Sequence, residues 1–287
     1  ETNSPILLHV KLEMYNELGL SVQECKKIIA QLKGTLTGLE YRLLGIANLE
    51  QDNLDDARSG LMKAMRNGDQ YAGEVLYCNE LFDDISELAD NGVAEAAYEL
   101  GGQLYREYRL YHKPKVRRKM MKYLHIAAAK EHKEAVQFLG DIWYNEAMET
   151  DGESEERFKF ALHYYQIAEK LSVTDNIQLY ERMGLIYYRL ENYRKSRTYL
   201  EKADTTEACF ILGVMYDKAQ GTSRDRDKAL CYYKRAATLK EGHYRAMLAQ
   251  NRIMAEIEEE KKKKIASENT SYKRTSTTTN YSSSSGW

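Results

Sequence analysis

The side chains that most often carry out chemistry are present in this sequence, but their spacing assembles no catalytic or metal-binding group. None of the six histidines pairs with cysteine or carboxylate at the spacing of metal ligands on one helix. Gly101-Gly102 lies inside a helical pattern and lacks the glycine and lysine that continue a phosphate-binding loop. Acidic pairs such as Asp83-Asp84 fall at helix starts, where carboxylates favour the helix dipole. We therefore expect a protein that is not an enzyme and needs no metal and no cofactor.

A basic stretch at residues 105–123, YREYRLYHKPKVRRKMMKY, is the densest cluster of charged side chains. It holds eight lysines and arginines against one acid, with tyrosines at every third position at its start. Cations interleaved with aromatic rings can bind phosphate groups while the rings stack on bases. The candidate anion-binding residues are Arg109, Lys113, Lys115, Arg117, Arg118 and Lys119. The alternative interpretation is a solvated stretch whose cations are neutralised by nearby acids.

Composition limits the remaining classes of function. The chain has 42 lysines and arginines against 44 aspartates and glutamates. Its overall charge is therefore too small to indicate general electrostatic binding to a nucleic acid or a membrane. No apolar run approaches the roughly 18 residues of a membrane-spanning helix. The four cysteines form no Cys-x-x-Cys pair, and free thiols favour a reducing, cytoplasmic setting. Because the sequence begins at Glu1, it leaves room for a signal segment or a further domain upstream.

Helical repeats are the elements that must position these side chains. Residues 41–64 place a small residue twelve positions after Gly45 and an alanine nineteen positions after it. Residues 180–203 repeat both spacings after Gly184. Small residues at fixed intervals indicate places where two helix backbones approach closely, and the recurrence predicts a stack of similar units.

Three further units are less regular. Residues 97–129 and 135–170 each contain two helical patterns joined by a longer connection, and a weaker unit covers 71–92. The most complete unit is residues 208–243, in which two helical patterns flank the turn sequence GTSRDRD and glycine closes the pair.

Residues 208–243 resemble a Sel1-like repeat, a relative of the tetratricopeptide repeat. The residues that carry the resemblance are Ala208, Leu212, Gly213, Tyr216, Gly221, Asp225, Lys228, Ala229, Tyr232, Tyr233, Ala236, Ala237 and Gly242. The sequence departs from the family at Ala219, where glycine is usual, and we expect a slightly different loop there. The resemblance implies an all-α fold, a right-handed α-solenoid of about six antiparallel helix pairs.

The same resemblance implies a partner-binding groove lined by the first helix of each pair. We call the glycine that recurs in these first helices the marker glycine; these are Gly45, Gly101, Gly140, Gly184 and Gly213. The residue four positions after it is expected to turn toward the groove, and the next residue to border it. The predicted groove residues are Tyr98, Tyr105, Arg106, Tyr144, Asn145, Tyr188, Arg189 and Lys218, with Leu49 and Asp217 at the ends. Tyrosine and arginine dominate recognition hot spots. We therefore expect a protein or peptide partner with acidic groups or a free carboxylate. The alternative is that these tyrosines fill gaps between neighbouring first helices.

The resulting organisation has four parts. We predict N-terminal capping helices at 1–38, repeats at 39–242, a C-terminal capping helix at 243–266 and a disordered Ser/Thr-rich tail at 267–287. Ser21 is the expected cap of a helix in the first part. The predicted function is a non-catalytic adaptor or scaffold that binds its partner in the groove. The alternatives are a nucleic-acid or other polyanion-binding module that uses residues 105–123, and a regulatory repeat domain of a larger protein.

Overall fold

The computed structural model describes residues 22–32, 36–149, 154–171, 176–239 and 243–279. This described part contains fourteen α-helices and no strand. The helices are α1 (Val22–Gln31), α2 (Gly38–Leu49), α3 (Leu54–Arg66), α4 (Gln70–Cys78), α5 (Ile85–Asp90), α6 (Ala94–Tyr111), α7 (Pro114–Ala129), α8 (Lys133–Glu149), α9 (Ser154–Leu171), α10 (Ile177–Arg189), α11 (Tyr193–Ala203), α12 (Thr206–Asp217), α13 (Arg226–Thr238) and α14 (Tyr244–Thr279).

The chain divides into two compact units. The first contains Glu1–Glu146 and Gln166–Leu171, and the second contains Ala147–Tyr165 and Ser172–Trp287. In the first unit α2 packs on α3 and α6 on α7, while in the second α10 packs on α11 and α12 on α13. Short connections make the paired helices antiparallel, and in the second unit the α10–α11 pair contacts α12 of the next pair. The predicted all-α solenoid arrangement of antiparallel helix pairs is confirmed within each unit.

The marker glycines lie where the two helices of a pair touch. A Cβ atom on Gly184 would stand 2.6 Å from Leu200, and one on Gly213 would stand 2.6 Å from the ring of Tyr233. Both opposing side chains are buried, so a larger residue would force the helices apart. The small residue twelve positions after Gly184 is Ser196, whose buried hydroxyl donates to the Gly184 carbonyl oxygen at 2.9 Å. In these pairs, the spacing of the small residues therefore reflects a close contact between the two helices.

Side-chain caps begin many of the helices. An aspartate, asparagine or threonine accepts a hydrogen bond from a backbone N–H group in the first turn, which satisfies a donor that the helix leaves unpaired. These caps are Asp69, Asp84, Asn176, Asn192, Thr205 and Asp225. The predicted cap at Ser21 lies outside the described residues.

Two further segments of the predicted organisation are helical in the described structure. The weak unit at 71–92 folds as the two short helices α4 and α5. Helix α14 continues past residue 266 to Thr279, into the segment expected to be disordered. Ion pairs at i, i+4 support the helix, such as Lys263 with Glu259 at 2.7 Å, and no proline or glycine interrupts the sequence before Thr279.

Among the described helices, none has the length and apolar character needed to cross a membrane.

Candidate peptide-binding cleft

A cleft of about 520 Å³ lies in the first unit, on helices α4, α6 and α8. We call it the α6 cleft, because one face of α6 forms its floor. The lining residues are Tyr77, Glu95, Tyr98, Glu99, Gly102, Arg106, His132 and Glu134. Two of them, Tyr98 and Arg106, belong to the groove predicted from the sequence.

The floor of the α6 cleft is a regular helical stripe. Glu95, Glu99 and Gly102 are spaced by four and three residues. Tyr98, Gly102 and Arg106 are spaced by four residues each, so the two rows share one face of α6. At 1.5 Å per residue, the stripe is roughly 16 Å long from Glu95 to Arg106. A Cβ atom on Gly102 would meet nothing within 4 Å. The middle of the floor is therefore bare backbone beside open space.

One wall of the cleft is His132, held by two contacts at the start of α8. The backbone N–H group of Ala135 donates to Nδ1 of His132 at 3.3 Å, so the imidazole caps this helix. The imidazole also stacks on the ring of Tyr98, with centroids 4.6 Å apart and an interplanar angle of 29°. Burial raises the pKa of Tyr98, and the carboxylates of Glu134 and Asp141 raise it further. This wall is a fixed aromatic pair with carboxylates beside it.

The opposite wall is Tyr77 on α4. Its ring stacks on Phe82 with centroids 5.9 Å apart and an interplanar angle of 5°. Its hydroxyl donates to Oε2 of Glu99 at 3.0 Å, and Gln103 donates to Oε1 of the same carboxylate at 3.2 Å. Burial, and then the bond to Glu99, raises the pKa of Tyr77. Both oxygens of Glu99 are thus oriented by the protein.

The charges of the cleft are unevenly distributed. The carboxylates of Glu95, Glu99 and Glu134 belong to exposed residues of the lining. Cations also stand near these carboxylates. Nζ of Lys133 lies 3.5 Å from Oε1 of Glu134, and the guanidinium group of the exposed Arg106 is seven residues beyond Glu99, which is about 10 Å along the helix. A ligand in the cleft would meet carboxylates over most of the floor and a cation at one end.

The remaining groove residues of the first unit are half-buried. Tyr105 packs edge-on against Phe138, with ring centroids 4.9 Å apart and an interplanar angle of 77°. Tyr144 and Asn145 are also half-buried, on α8. Tyr105 therefore contributes to packing between α6 and α8, as the gap-filling alternative expected.

The groove residues of the second unit include one packed tyrosine and two exposed cations. The hydroxyl of Tyr188 donates to Gln220 at 2.9 Å, its ring contacts Tyr193 edge-on at 5.7 Å, and burial raises its pKa. Arg189 and Lys218 are exposed. Arg189 lines a separate cleft of about 660 Å³ in this unit, beside the starts of α9 and α11.

Asp217 does not face a groove, which corrects the sequence interpretation. Its side chain is 4% exposed and pairs with Arg252 of α14 and with Arg224, whose Nη2 lies 3.5 Å from Oδ1. Arg224 also donates from Nε to the Asp217 carbonyl oxygen at 3.0 Å. The two arginines come from the loop after α12 and from the terminal helix, so elements distant in sequence enclose this carboxylate.

Part of the basic stretch is neutralised by carboxylates. Arg117 donates two hydrogen bonds to Glu146, at 3.1 and 3.0 Å, and this pairing raises the pKa of the guanidinium. Lys122 lies 2.6 Å from a carboxylate oxygen of Asp90. Lys113 sits 4.9 Å from the ring centroid of Tyr111.

The other candidate anion-binding residues lie at the surface. They are Arg109, Lys115, Arg118 and Lys119. The described residues contain no group of three or more His, Cys, Asp or Glu side chains that could hold a metal ion.

Sequence reasoning missed most of the α6 cleft. Glu95 and Glu99 share the helical period of Tyr98, so a helical projection of residues 94–111 would have grouped them. Tyr77 on α4 and His132 before α8 come from other parts of the chain, and their approach to Tyr98 depends on the tertiary packing. The sequence signal for His132 is its place directly before α8, where a capping side chain is expected.

Solved structures similar to this chain include repeat proteins. A protective antigen of uropathogenic Escherichia coli that displays an SLR fold is 18% identical, covers 81% of this chain and 51% of its own, and has a TM-score of 0.44. A Sel1 repeat protein from Oxalobacter formigenes is 15% identical, with 88% and 76% covered and a TM-score of 0.42. An assembly chaperone of RpL4 is 12% identical, with 91% and 99% covered and a TM-score of 0.30. The chain thus spans about half the length of the first of these proteins. No protein-family model and no curated protein matches the sequence.

Proposed function

We propose that this protein is a non-catalytic adaptor that binds a peptide segment of a protein partner in the α6 cleft. The observation that carries the proposal is the bare floor at Gly102, flanked by the oriented aromatic side chains of Tyr77 and Tyr98. A concave site with fixed rings and a few polar groups is suited to recognition.

The walls of the cleft are organised before any partner arrives. His132 caps α8 and stacks on Tyr98, while Tyr77 stacks on Phe82 and bonds to Glu99. Side chains that are already ordered lose less conformational entropy on binding. Tyrosine also supplies a large contact area with few rotatable bonds. These contacts support a site that accepts a partner without rearranging.

A substitution at the floor tests the proposal. Gly102→Gln would place a long polar side chain in the cleft, at a helical position where the added Cβ atom meets nothing within 4 Å. The matched control is Ala129→Gln, at an exposed position near the end of α7. Both variants should retain the circular dichroism spectrum and melting temperature of the wild type within a few degrees.

The assay is capture of partners from native lysate after nuclease treatment, followed by quantitative mass spectrometry. We expect a protein that wild type and Ala129→Gln both retain and that Gly102→Gln loses, and this protein should then bind the purified chain directly. Retention by folded Gly102→Gln would refute the cleft as the binding site. Capture that disappears with nuclease and depends on Arg118 and Lys119 would instead move the function to the basic stretch.

The cysteines support a reducing compartment, and we propose a cytoplasmic setting on that basis. Cys78, Cys209 and Cys231 are free thiols in the described part of the chain. Disulfides form and persist mainly in oxidising compartments. The binding proposal is the same whether the chain acts alone or as a repeat domain of a larger protein.

A further inference from the structure

We infer that the α6 cleft selects a cationic peptide segment, one that presents an arginine or lysine side chain to Glu95, Glu99 and Glu134. This inference rests on the proposed function and specifies the chemistry of the partner. It differs from the acidic partner expected from the sequence, because Glu95, Glu99 and Glu134 line the cleft together with Tyr98 and Arg106.

Charge complementarity is the first argument. An acidic side chain placed at the middle of the floor would lie among carboxylates of the same sign, and like-charge contacts at an interface are costly. A guanidinium or ammonium group at that point would be attracted by Glu95 and Glu99. Its attraction to Glu134 would be weaker, because Nζ of Lys133 lies 3.5 Å from Oε1 of Glu134. Arg106 is about 10 Å from Glu99 along α6, so its repulsion of a bound cation is weaker and screened by salt.

The second argument is the geometry of Glu99. Tyr77 and Gln103 each donate to a different oxygen of this carboxylate, at 3.0 and 3.2 Å. Each carboxylate oxygen can accept more than one hydrogen bond, so both retain the capacity to accept from a bound donor. A carboxylate held in place on both oxygens suits the paired N–H groups of a guanidinium.

The third argument is the aromatic lining. The rings of Tyr77 and Tyr98 border the same space as the carboxylates, and a cation near the face of a tyrosine ring gains attraction from the ring quadrupole. The bare floor at Gly102 lets the methylene stem of lysine or arginine lie against backbone without a steric clash. Rings and charges together favour a cation that carries an apolar stem.

Arg106 limits the length of the cationic segment. About 10 Å separates it from Glu99, a distance that roughly three extended residues span. A longer run of positive residues would bring a cation against the guanidinium of Arg106. The geometry therefore points to one or two cationic residues within a short extended segment.

The experiment uses three fluorescein-labelled nine-residue peptides in a Gly-Ser background. Their central residues are Arg-Tyr-Arg, Lys-Tyr-Lys or Glu-Tyr-Glu, and binding to the full chain is followed by fluorescence anisotropy at low and high salt. The cleft variant carries Glu95→Gln, Glu99→Gln and Glu134→Gln. The matched control removes three exposed carboxylates of the second unit, at Glu201, Glu258 and Glu259.

We expect the arginine and lysine peptides to bind more tightly than the glutamate peptide, with an affinity that falls as salt rises. The cleft variant should weaken the cationic peptides by about tenfold or more, while the control variant changes their affinity by less than about threefold. Equal affinity for cationic and acidic peptides, no binding of any peptide up to about 1 mM, or an unaffected cleft variant overturns the inference.

The two proposals fail in different ways. If Gly102→Gln loses the captured partner but the peptides show no charge preference, the cleft binds a partner of other chemistry, and only the inference of a cation is wrong. If Gly102→Gln retains that partner, the proposed function itself is wrong. The peptide and capture measurements therefore separate the site from its selectivity.

Discussion

Two adjacent glycines on α6 should respond oppositely to the same substitution. A Cβ atom on Gly101 would lie 2.6 Å from Cδ2 and 2.8 Å from Cγ of Leu124, whereas one on Gly102 would meet nothing within 4 Å. Both positions are in the interior of one helix, so replacing either glycine by alanine brings the same gain in helix propensity. Any difference between the variants therefore measures packing against Leu124.

The magnitudes follow from these contacts. Removing a glycine from a helix interior stabilises the fold by about 0.5–1 kcal/mol, and Gly102→Ala should gain about that amount. Gly101→Ala gains the same term but must displace Leu124, which is fully buried, from a contact far shorter than the normal separation. Overpacking of a core costs about 1–3 kcal/mol. The free energy of unfolding should therefore be lower for Gly101→Ala than for Gly102→Ala by about 1–3 kcal/mol.

Urea denaturation followed by circular dichroism at 222 nm measures this difference, provided that the unfolding slopes of both variants agree. A second-site change identifies the contact: Leu124→Ala should cost less in the Gly101→Ala background than in the wild type, because the added methyl group occupies part of the vacated space. Equal stabilities for Gly101→Ala and Gly102→Ala, or additive effects of Gly101→Ala and Leu124→Ala, would refute the assigned helix register.

Two further predictions concern the second unit. Asp217→Asn should lower the free energy of unfolding by about 1–3 kcal/mol, because Arg252 loses a buried charged partner. The exposed control Asp227→Asn should change the free energy of unfolding by less than about 0.5 kcal/mol. Equal urea midpoints for the two variants would contradict this role of Asp217. Burial, with help from a nearby carboxylate, raises the pKa of Cys209 to about 11, so iodoacetamide at pH 8 should label the exposed Cys231 first and Cys209 only when the chain unfolds. Peptide mapping of the alkylated protein checks the order, and early labelling of Cys209 would contradict its burial.

The helix pairs could be predicted from the sequence because their contacts are close along the chain. Gly184 meets Leu200 only sixteen residues later, and Ser196 bonds back to Gly184. A small residue at a fixed interval has one physical reason, the approach of two backbones. The spacing of the small residues therefore predicts the helix pairs without knowledge of the tertiary structure.

The roles of the tyrosines could not be predicted in the same way. Tyr105 and Tyr188 both stand four residues after a marker glycine, and each contacts an aromatic ring, that of Phe138 or Tyr193. A half-buried tyrosine packed between helices and one that lines a groove have the same sequence pattern. Tyr98 also stacks on a histidine ring, yet it borders the open space of the α6 cleft. The tertiary structure alone separates the two roles.

A histidine that caps a helix and stacks on an aromatic ring occurs in both units. His132 and His243 each accept a backbone N–H group through Nδ1 at the start of a helix, at 3.3 and 3.2 Å. Each imidazole stacks on an aromatic ring three residues before a marker glycine, His132 on Tyr98 at 4.6 Å and His243 on Phe210 at 4.5 Å. Because the same pair of contacts stabilises two helix starts, stacking on histidine is part of how the repeat is built. It does not by itself make a binding site.

The residues beside the stacked histidine and aromatic ring differ between the units. This difference explains why the α6 cleft is open and polar. The position that follows the marker glycine is Gly102 in the first unit but Val214 in the second, where the side chain packs on the core. The position that follows the stacked aromatic residue is Glu99 in the first unit and Ile211 in the second, also packed on a core cluster. A branched apolar side chain fills the space that glycine leaves open, and an isoleucine removes the oriented carboxylate. Gly102 and Glu99 thus give this face of α6 its open and polar character. The histidine–aromatic stack and the close approach at the marker glycine occur in both units, although Gly101 meets Leu124 and Gly213 meets Tyr233.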